Sequence, residues 1–217
     1  MTYIFAPGCA LTLENPDAAG RIHDLLNRHF GNLERLDICC RNHPDLAPGT
    51  VVINVCAGCD RRFRENYEES GTVSLWEMID RRDFWDFPDY GGVAMSVQDP
   101  CPVRTESRVH DAVRSLLKKM NISVVEADKI RNKSICCGDS AWGTLPAEKI
   151  KQKMAKRAGQ MPEDNVVVTC VSCIKSMHIG GKTPRHLVDL LFGNQTEIGL
   201  CEPDDWHDKL ERYVADH

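Results

Sequence analysis

Residues 165–173 read NVVVTCVSC. Three successive valines favour a buried, extended strand, and the run ends on Cys170-Val171-Ser172-Cys173. The same arrangement stands earlier in the chain, where TVVINVCAGC (50–59) carries Cys56-Ala57-Gly58-Cys59 at the end of a β-branched run. Working outward, each Cys-x-x-Cys is preceded by an adjacent pair, Cys39-Cys40 in one case and Cys136-Cys137 in the other, and each pair by a lone cysteine, Cys9 or Cys101. The lone cysteines share a context: YIFAPGCAL (3–11) and AMSVQDPCPV (94–103) both read as a short strand, a proline-containing turn and the thiol. After each Cys-x-x-Cys, SLWEMID (74–80) parallels RHLVDLL (185–191). A repeat of about 100 residues that occurs twice is a duplication rather than a solenoid array.

Helix signals fill the intervals. In NPDAAGRIHDLLNRHF (15–30), Asn15 reads as an N-cap, Pro16 as the first helical residue, and Ala19, Ile22, Leu26 and Phe30 as the apolar stripe. TESRVHDAVRSLLKKM (105–120) places Val109, Val113, Leu116, Leu117 and Met120 on one face, and LPAEKIKQKMAKRAGQM (145–161) does the same with Ala147, Ile150, Met154, Ala158 and Met161. Thr183-Pro184 is expected to open a last short helix. Strands alternating with helices imply an α/β fold of two pseudo-symmetric βαβ-type, Rossmann-like halves with parallel sheets. The expected organisation is a first cysteine-rich half at 1–90, a second at 91–195, and a helical tail at 196–217, with the seam in the turn-rich DFPDYGGV (86–93). One asymmetry is plain. The pair and the Cys-x-x-Cys are 32 residues apart in the second half and 15 in the first, so the helix at 146–161 has no counterpart there.

Composition narrows the function. A net charge of −5 and the lack of a long basic run argue against nucleic-acid binding, no apolar run reaches the ~20 residues of a membrane span, and the N-terminus lacks the pattern of a secretion signal. The expected location is therefore cytoplasmic. In a reducing compartment, 11 clustered cysteines mark metal or redox chemistry rather than a disulfide framework. If the strands are parallel, the lone cysteine and the Cys-x-x-Cys fall at strand C-terminal ends, where helix N-termini favour thiolates and glycines such as Gly8, Gly58 and Gly138 let backbone N–H groups come close. Structural zinc takes four ligands, typically from two Cys-x-x-Cys hooks, whereas here five thiols recur in each half. Neighbouring thiols point apart along an extended backbone and suit an object several ångströms across. No GxGxxG follows a strand and no P-loop is present, so nicotinamide and ATP chemistry are unsupported.

The order C-x29-CC-x15-CxxC followed by C-x34-CCG-x32-CxxC resembles the duplicated cysteine-rich CCG domain of the heterodisulfide reductase catalytic (B) subunit, over about residues 1–195. Related domains occur in iron–sulfur subunits of glycolate and lactate oxidation systems and in an unusual succinate:quinone reductase anchor. The resemblance implies two non-cubane 4Fe-4S clusters. By motif position Cys9, Cys39, Cys40, Cys56 and Cys59 would ligate one, and Cys101, Cys136, Cys137, Cys170 and Cys173 the other. It further implies a disulfide reductase in which each cluster captures one sulfur of a small-molecule or protein disulfide, with electrons from a ferredoxin-like or flavoprotein partner. The first motif departs from the family by reading Cys39-Cys40-Arg41 and by its short gap. Arg41 is a candidate donor to substrate or partner, and His178 a candidate proton donor near the second set. Two alternatives stand: an electron-transfer subunit with no substrate site of its own, and a zinc-bound structural protein. Cys201 is expected to be a spare thiol, His43, His110 and His186 surface or boundary residues, Trp76 and Trp142 core, Asp139 a helix cap, and Asp99 a carboxylate turned away from the cluster.

Overall fold

In a computed structural model, which describes residues 2–38, 44–82 and 84–217, the chain divides into two compact units: residues 1–85 with 210–217, and residues 86–209. The first unit contains β1 (Thr2–Ala6), α1 (Cys9–Glu14), α2 (Pro16–Phe30), β2 (Glu34–Arg35), β3 (Thr50–Asn54), α3 (Ala57–Asn66), β4 (Gly71–Ser74) and α4 (Leu75–Arg81). The second contains β5 (Ala94–Gln98), a 3-10 turn at Cys101–Val103, α5 (Ser107–Lys119), β6 (Ser123–Val124), 3-10 turns at Arg131–Lys133 and Asp139–Ala141, α6 (Ala147–Ala158), β7 (Asn165–Val168), α7 (Val171–Ile179), β8 (Thr183–His186) and α8 (Leu187–Leu191). The last helix, α9 (Pro203–Asp216), begins in the second unit, while Leu210–His217 groups with the first.

Each unit is built on a four-stranded, all-parallel sheet, in the order β2-β1-β3-β4 and β6-β5-β7-β8. The α/β reading from duplicated strand–helix units is thus the observed fold, and the repeated strand order is the structural form of the duplication. From β1 the chain moves outward to β2, then returns to lay β3 on the other side of β1, and the same reversal places β7 beside β5. The crevice between two such strands, at their C-terminal ends, is the usual ligand site of an open parallel sheet. Registers there are explicit: Ala6 lies opposite Asn54, and Gln98 opposite Val168.

Local chemistry explains the elements. Asn15 accepts a hydrogen bond from the Ala18 N–H at 3.0 Å, and Pro16 occupies the first position of α2, so this start forms as expected. Val166, Val167 and Val168 are fully buried, as befits a central parallel strand covered on both faces. Ile150, Met154 and Ala158 of α6 and Val109, Val113, Leu116 and Leu117 of α5 supply the core around them. In the first unit, no helix occurs among the described residues between β2 and β3, in keeping with the short gap.

Two expectations are corrected. Thr183-Pro184 opens β8, paired in parallel with β7 through Val166 and Pro184, and the helix begins only at Leu187. An edge strand tolerates proline because half of its N–H groups face no ladder. His186, expected near the surface, is buried at the end of that strand, and burial pushes its imidazole down to about 4 from 6.5. Such a group binds its proton more readily when the chain unfolds. The stability it contributes is complete above about pH 6.5 and is lost as pH falls toward 4, amounting to roughly 2 kcal/mol by pH 5. Urea unfolding at pH 7 and pH 5 is expected to show that loss, and a His186→Gln chain to show a correspondingly smaller acid dependence. An equal dependence in both chains would mean that other groups carry it.

Candidate metal centre

The reversal of strand order brings the separated cysteines together. In the second unit Cys101 starts the turn that follows β5, and Cys170 is the N-cap of α7, directly after β7. Because β5 and β7 are neighbours, residues 69 positions apart in sequence emerge side by side at one sheet edge. The first unit repeats this, with Cys9 opening α1 after β1 and Cys56 capping α3 after β3. Gly8 is the point of contact there. Its φ is +87°, and a Cβ built on it would meet the Cys56 Cβ at 2.7 Å and the Cys59 Sγ at 3.6 Å. Cys39, Cys40 and Arg41, the remaining first-half candidates, and His43 lie outside the described residues.

All five cysteines of the second motif form one connected set. The Cys136 sulfur lies within hydrogen-bonding reach of Cys101 and Cys137, and the Cys173 sulfur within reach of Cys137 and Cys170. The Ser140 hydroxyl lies 3.0 Å from the Cys136 sulfur, and the Gly138 N–H donates to that sulfur at 3.4 Å. These contacts, those with the Cys101 and Cys137 thiols foremost, hold Cys136 far below the usual thiol range. Cys101 and Cys137 are pushed up chiefly by their contact with Cys136, and Cys173 by its contacts with Cys137 and Cys170, with burial adding to each. Thiols that share an anion in this way exchange their protons for a soft metal.

The adjacent pair differs from expectation in an informative way. Cys136 and Cys137 lie within hydrogen-bonding reach of each other, and the chain then turns sharply at Gly138, with φ +113°. Cys137 is buried and continues to Cys173, while Cys136 is half-exposed and continues to Cys101. The pair is therefore the link between the thiol that follows β5 and the two that follow β7.

A polar framework fixes this loop. Gln98, at the end of β5, donates through Nε2 to the carbonyls of Asp99 and Ile135, both at 3.0 Å, which anchors the residue before Cys136. Arg157 of α6, only 2% exposed, donates to the Gln98 Oε1 at 2.7 Å and to the Lys129 carbonyl at 3.0 Å. Burial lowers the Arg157 pKa, whereas the charges of Asp99 and of the Cys173, Cys137 and Cys136 sulfurs act to raise it. From the other side, α9 clasps both cysteine segments. The Trp206 Nε1 donates to the Ser172 hydroxyl, inside the Cys-x-x-Cys, at 3.2 Å. The His207 Nε2 lies 3.0 Å from the Asp139 carboxylate, and its ring stacks on Trp142 at 4.1 Å.

None of Gln98, Arg157, Trp206 and His207 was singled out from the sequence. Arg157 carried a readable signal, since it lies on the Ile150–Met154–Ala158 stripe where an unpaired charge would not be tolerated. Other expectations are revised here. Asp139 pairs with His207 rather than capping a helix, and Trp142 is a half-exposed stacking partner rather than core, while Trp76 is indeed buried. His178 is exposed in the last turn of α7, about 7.5 Å of helix rise beyond Cys173 and toward the opposite sheet edge, so it is not brought to the sulfurs. Asp99 is turned away, into a two-pronged pair with Arg114 and an acceptor role toward the Arg131 N–H at 2.7 Å.

Residues 95–178 match the family model described as the cysteine-rich domain. The matched stretch runs from β5 through α7 and contains all five sulfurs of the connected set. A solved structure of Picrophilus torridus aspartate racemase is similar at a TM-score of 0.36 and 8% identity, with 89% of this chain and 94% of that chain covered. At that score the fold rests on the sheet topology alone. No curated protein is significantly similar to the chain.

The donor set of the matched stretch fits an iron–sulfur or other thiolate-bound metal. It consists of five free soft sulfurs, with helix N-terminal dipoles and a buried guanidinium to offset their charge. Among the described residues, no three His, Cys, Asp or Glu side chains are grouped to hold a single ion. The sulfurs instead follow one another along the loop and the two strand ends. No described helix is long and apolar enough to cross a membrane.

Proposed function

We propose that the protein is an iron–sulfur oxidoreductase that reduces a disulfide, with one non-cubane 4Fe-4S cluster held by each of its two cysteine sets. The observation that carries this reading is the connected set of five thiols at the strand-order reversal of the matched stretch. Cys101, Cys136, Cys137, Cys170 and Cys173 would hold one cluster, and Cys9, Cys39, Cys40, Cys56 and Cys59 the other. When bound, such a cluster supplies one-electron transfer and an iron to which a substrate sulfur can attach. The chain's own residues keep the sulfurs in place. Gln98 and Gly138 fix the loop that bears Cys136 and Cys137, Arg157 compensates negative charge, and the half-exposed Cys136 marks the side open to solvent.

The net reaction takes two electrons and two protons per disulfide and releases two thiols. The electrons come from a ferredoxin-like or flavoprotein partner, since neither a nicotinamide nor a nucleotide fingerprint occurs in the sequence. Anaerobically isolated full chain, supplied with a reduced viologen dye and a panel of small disulfides, is expected to oxidise the dye in proportion to the thiol released. Dye oxidation that no disulfide accelerates, with disulfides leaving the EPR signals of the reduced protein unchanged, would favour an electron-transfer subunit instead.

A further inference from the structure

We propose that the second unit carries a binding pocket for the phosphoryl group of a small phosphorylated ligand, at the N-terminus of α5 and separate from the sulfur set. A cavity of about 500 Å³ opens there, lined by Arg104, Thr105, Ser107, His110, Arg131 and Asn132. No carboxylate lines it, and two guanidinium groups do. The Arg104 Nε and Nη2 both donate to the Ser134 carbonyl, at 3.2 and 2.9 Å, which fixes the side chain and leaves Nη1 without a partner among the described residues. Arg131 pairs with Asp111 through Nη1 alone. Ser107 is the first residue of a 13-residue helix, whose leading N–H groups favour an anion.

The second, independent observation is His110, one turn into that helix. It is 2% exposed, and its Nε2 is buried with no hydrogen-bond partner among the described residues. An unsatisfied buried donor or acceptor costs about 1–3 kcal/mol, a penalty that a small turn of the ring toward an oxyanion in the adjoining cavity would relieve. Burial lowers the His110 pKa, and a neutral ring that carries its proton on Nε2 can donate through it. Arg131 also adopts φ +55°, held there by the Asp99 carboxylate accepting its N–H, and strain of this kind in a non-glycine residue gathers at binding sites. The other charged groups near His110 are Asp99, which pairs with Arg114, and Asp111 on Arg131, while Glu106 accepts from the Thr105 hydroxyl at 2.9 Å and lies 3.9 Å from Arg108. Two guanidiniums, the Ser107 hydroxyl, an imidazole and helix N–H groups offer more directions than a planar carboxylate can use. They suit a tetrahedral dianion, and the volume leaves room for the rest of a small molecule.

Calorimetric titration of the anaerobically isolated full chain with inorganic phosphate, at fixed ionic strength, tests this without any turnover. Saturable one-to-one binding is expected. It should weaken by roughly tenfold or more in a Ser107→Glu chain, which places a like charge at an exposed first helical position, and in a His110→Phe chain, which removes one hydrogen bond to a charged group. Iron content should be unchanged in both. Absence of saturable binding in the parent chain, or equal affinity in parent and both variants, would overturn the pocket. Acetate binding as tightly as phosphate would overturn its assignment to a phosphoryl group.

Discussion

A Cys137→Ser chain, isolated anaerobically, is expected to contain about four fewer irons and four fewer inorganic sulfides than the parent's roughly eight of each. The effect is large because Cys137 is the buried link in the sulfur set, joining Cys136 on one side to Cys173 on the other. Serine keeps the shape but replaces a soft thiolate with a hydroxyl that rarely ionises, so the set loses a ligand without gaining a cavity. The first unit has its own cysteines and its own sheet, so its centre is expected to persist. Iron and sulfide analysis, with EPR of the reduced protein, distinguishes the outcomes. Unchanged metal content in the variant would remove Cys137 from the site, and loss of all metal would mean that the two centres assemble together.

A Gly138→Ala chain is expected to lose roughly 3 kcal/mol of stability, with poor occupancy of the same centre. The backbone at φ +113° is reached by glycine and scarcely by other residues. A Cβ there would lie 2.8 Å from the Met154 backbone nitrogen, 2.9 Å from the Met154 Cγ and 3.2 Å from the Lys153 carbonyl carbon. Two of those three atoms are helix backbone and cannot swing aside, so the loop itself must retreat from α6. Retreat carries Cys136 and Cys137 away from Cys173 and gives up the N–H that Gly138 offers the Cys136 sulfur. Urea unfolding with parallel iron analysis checks both parts. Normal stability and full iron content would show that the turn adapts without cost.

How far the site was readable before its geometry was known depended on how local its determinants are. Strand–helix alternation and the paired NVVVTCVSC and TVVINVCAGC segments were local patterns, and they pointed to parallel sheets with thiols at strand ends. Strand order was not local. That β3 and β7 return across β1 and β5 follows from packing over the whole half, yet this reversal is what places Cys9 by Cys56 and Cys101 by Cys170. The turn at Gly138 was visible as a glycine but not as the point where the thiol-bearing loop closes on α6. Thr183-Pro184 misled because a threonine followed by proline opens helices and edge strands alike, and only pairing with β7 decides between them. The charged supports were hidden for a related reason. Arg157 and Gln98 are 59 positions apart, and His207 and Asp139 are 68, so no window of sequence joins them. His110 and His186 looked like surface residues because helix periodicity and strand ends say little about what packs over them from another element.

The most direct test of the central claim is quantitation of iron, zinc and acid-labile sulfide in the full chain isolated without oxygen. If the two cysteine sets hold polynuclear iron–sulfur clusters, the protein is brown and contains about four irons and four sulfides for each set. A colourless protein with zinc on its cysteines and no inorganic sulfide would contradict the account.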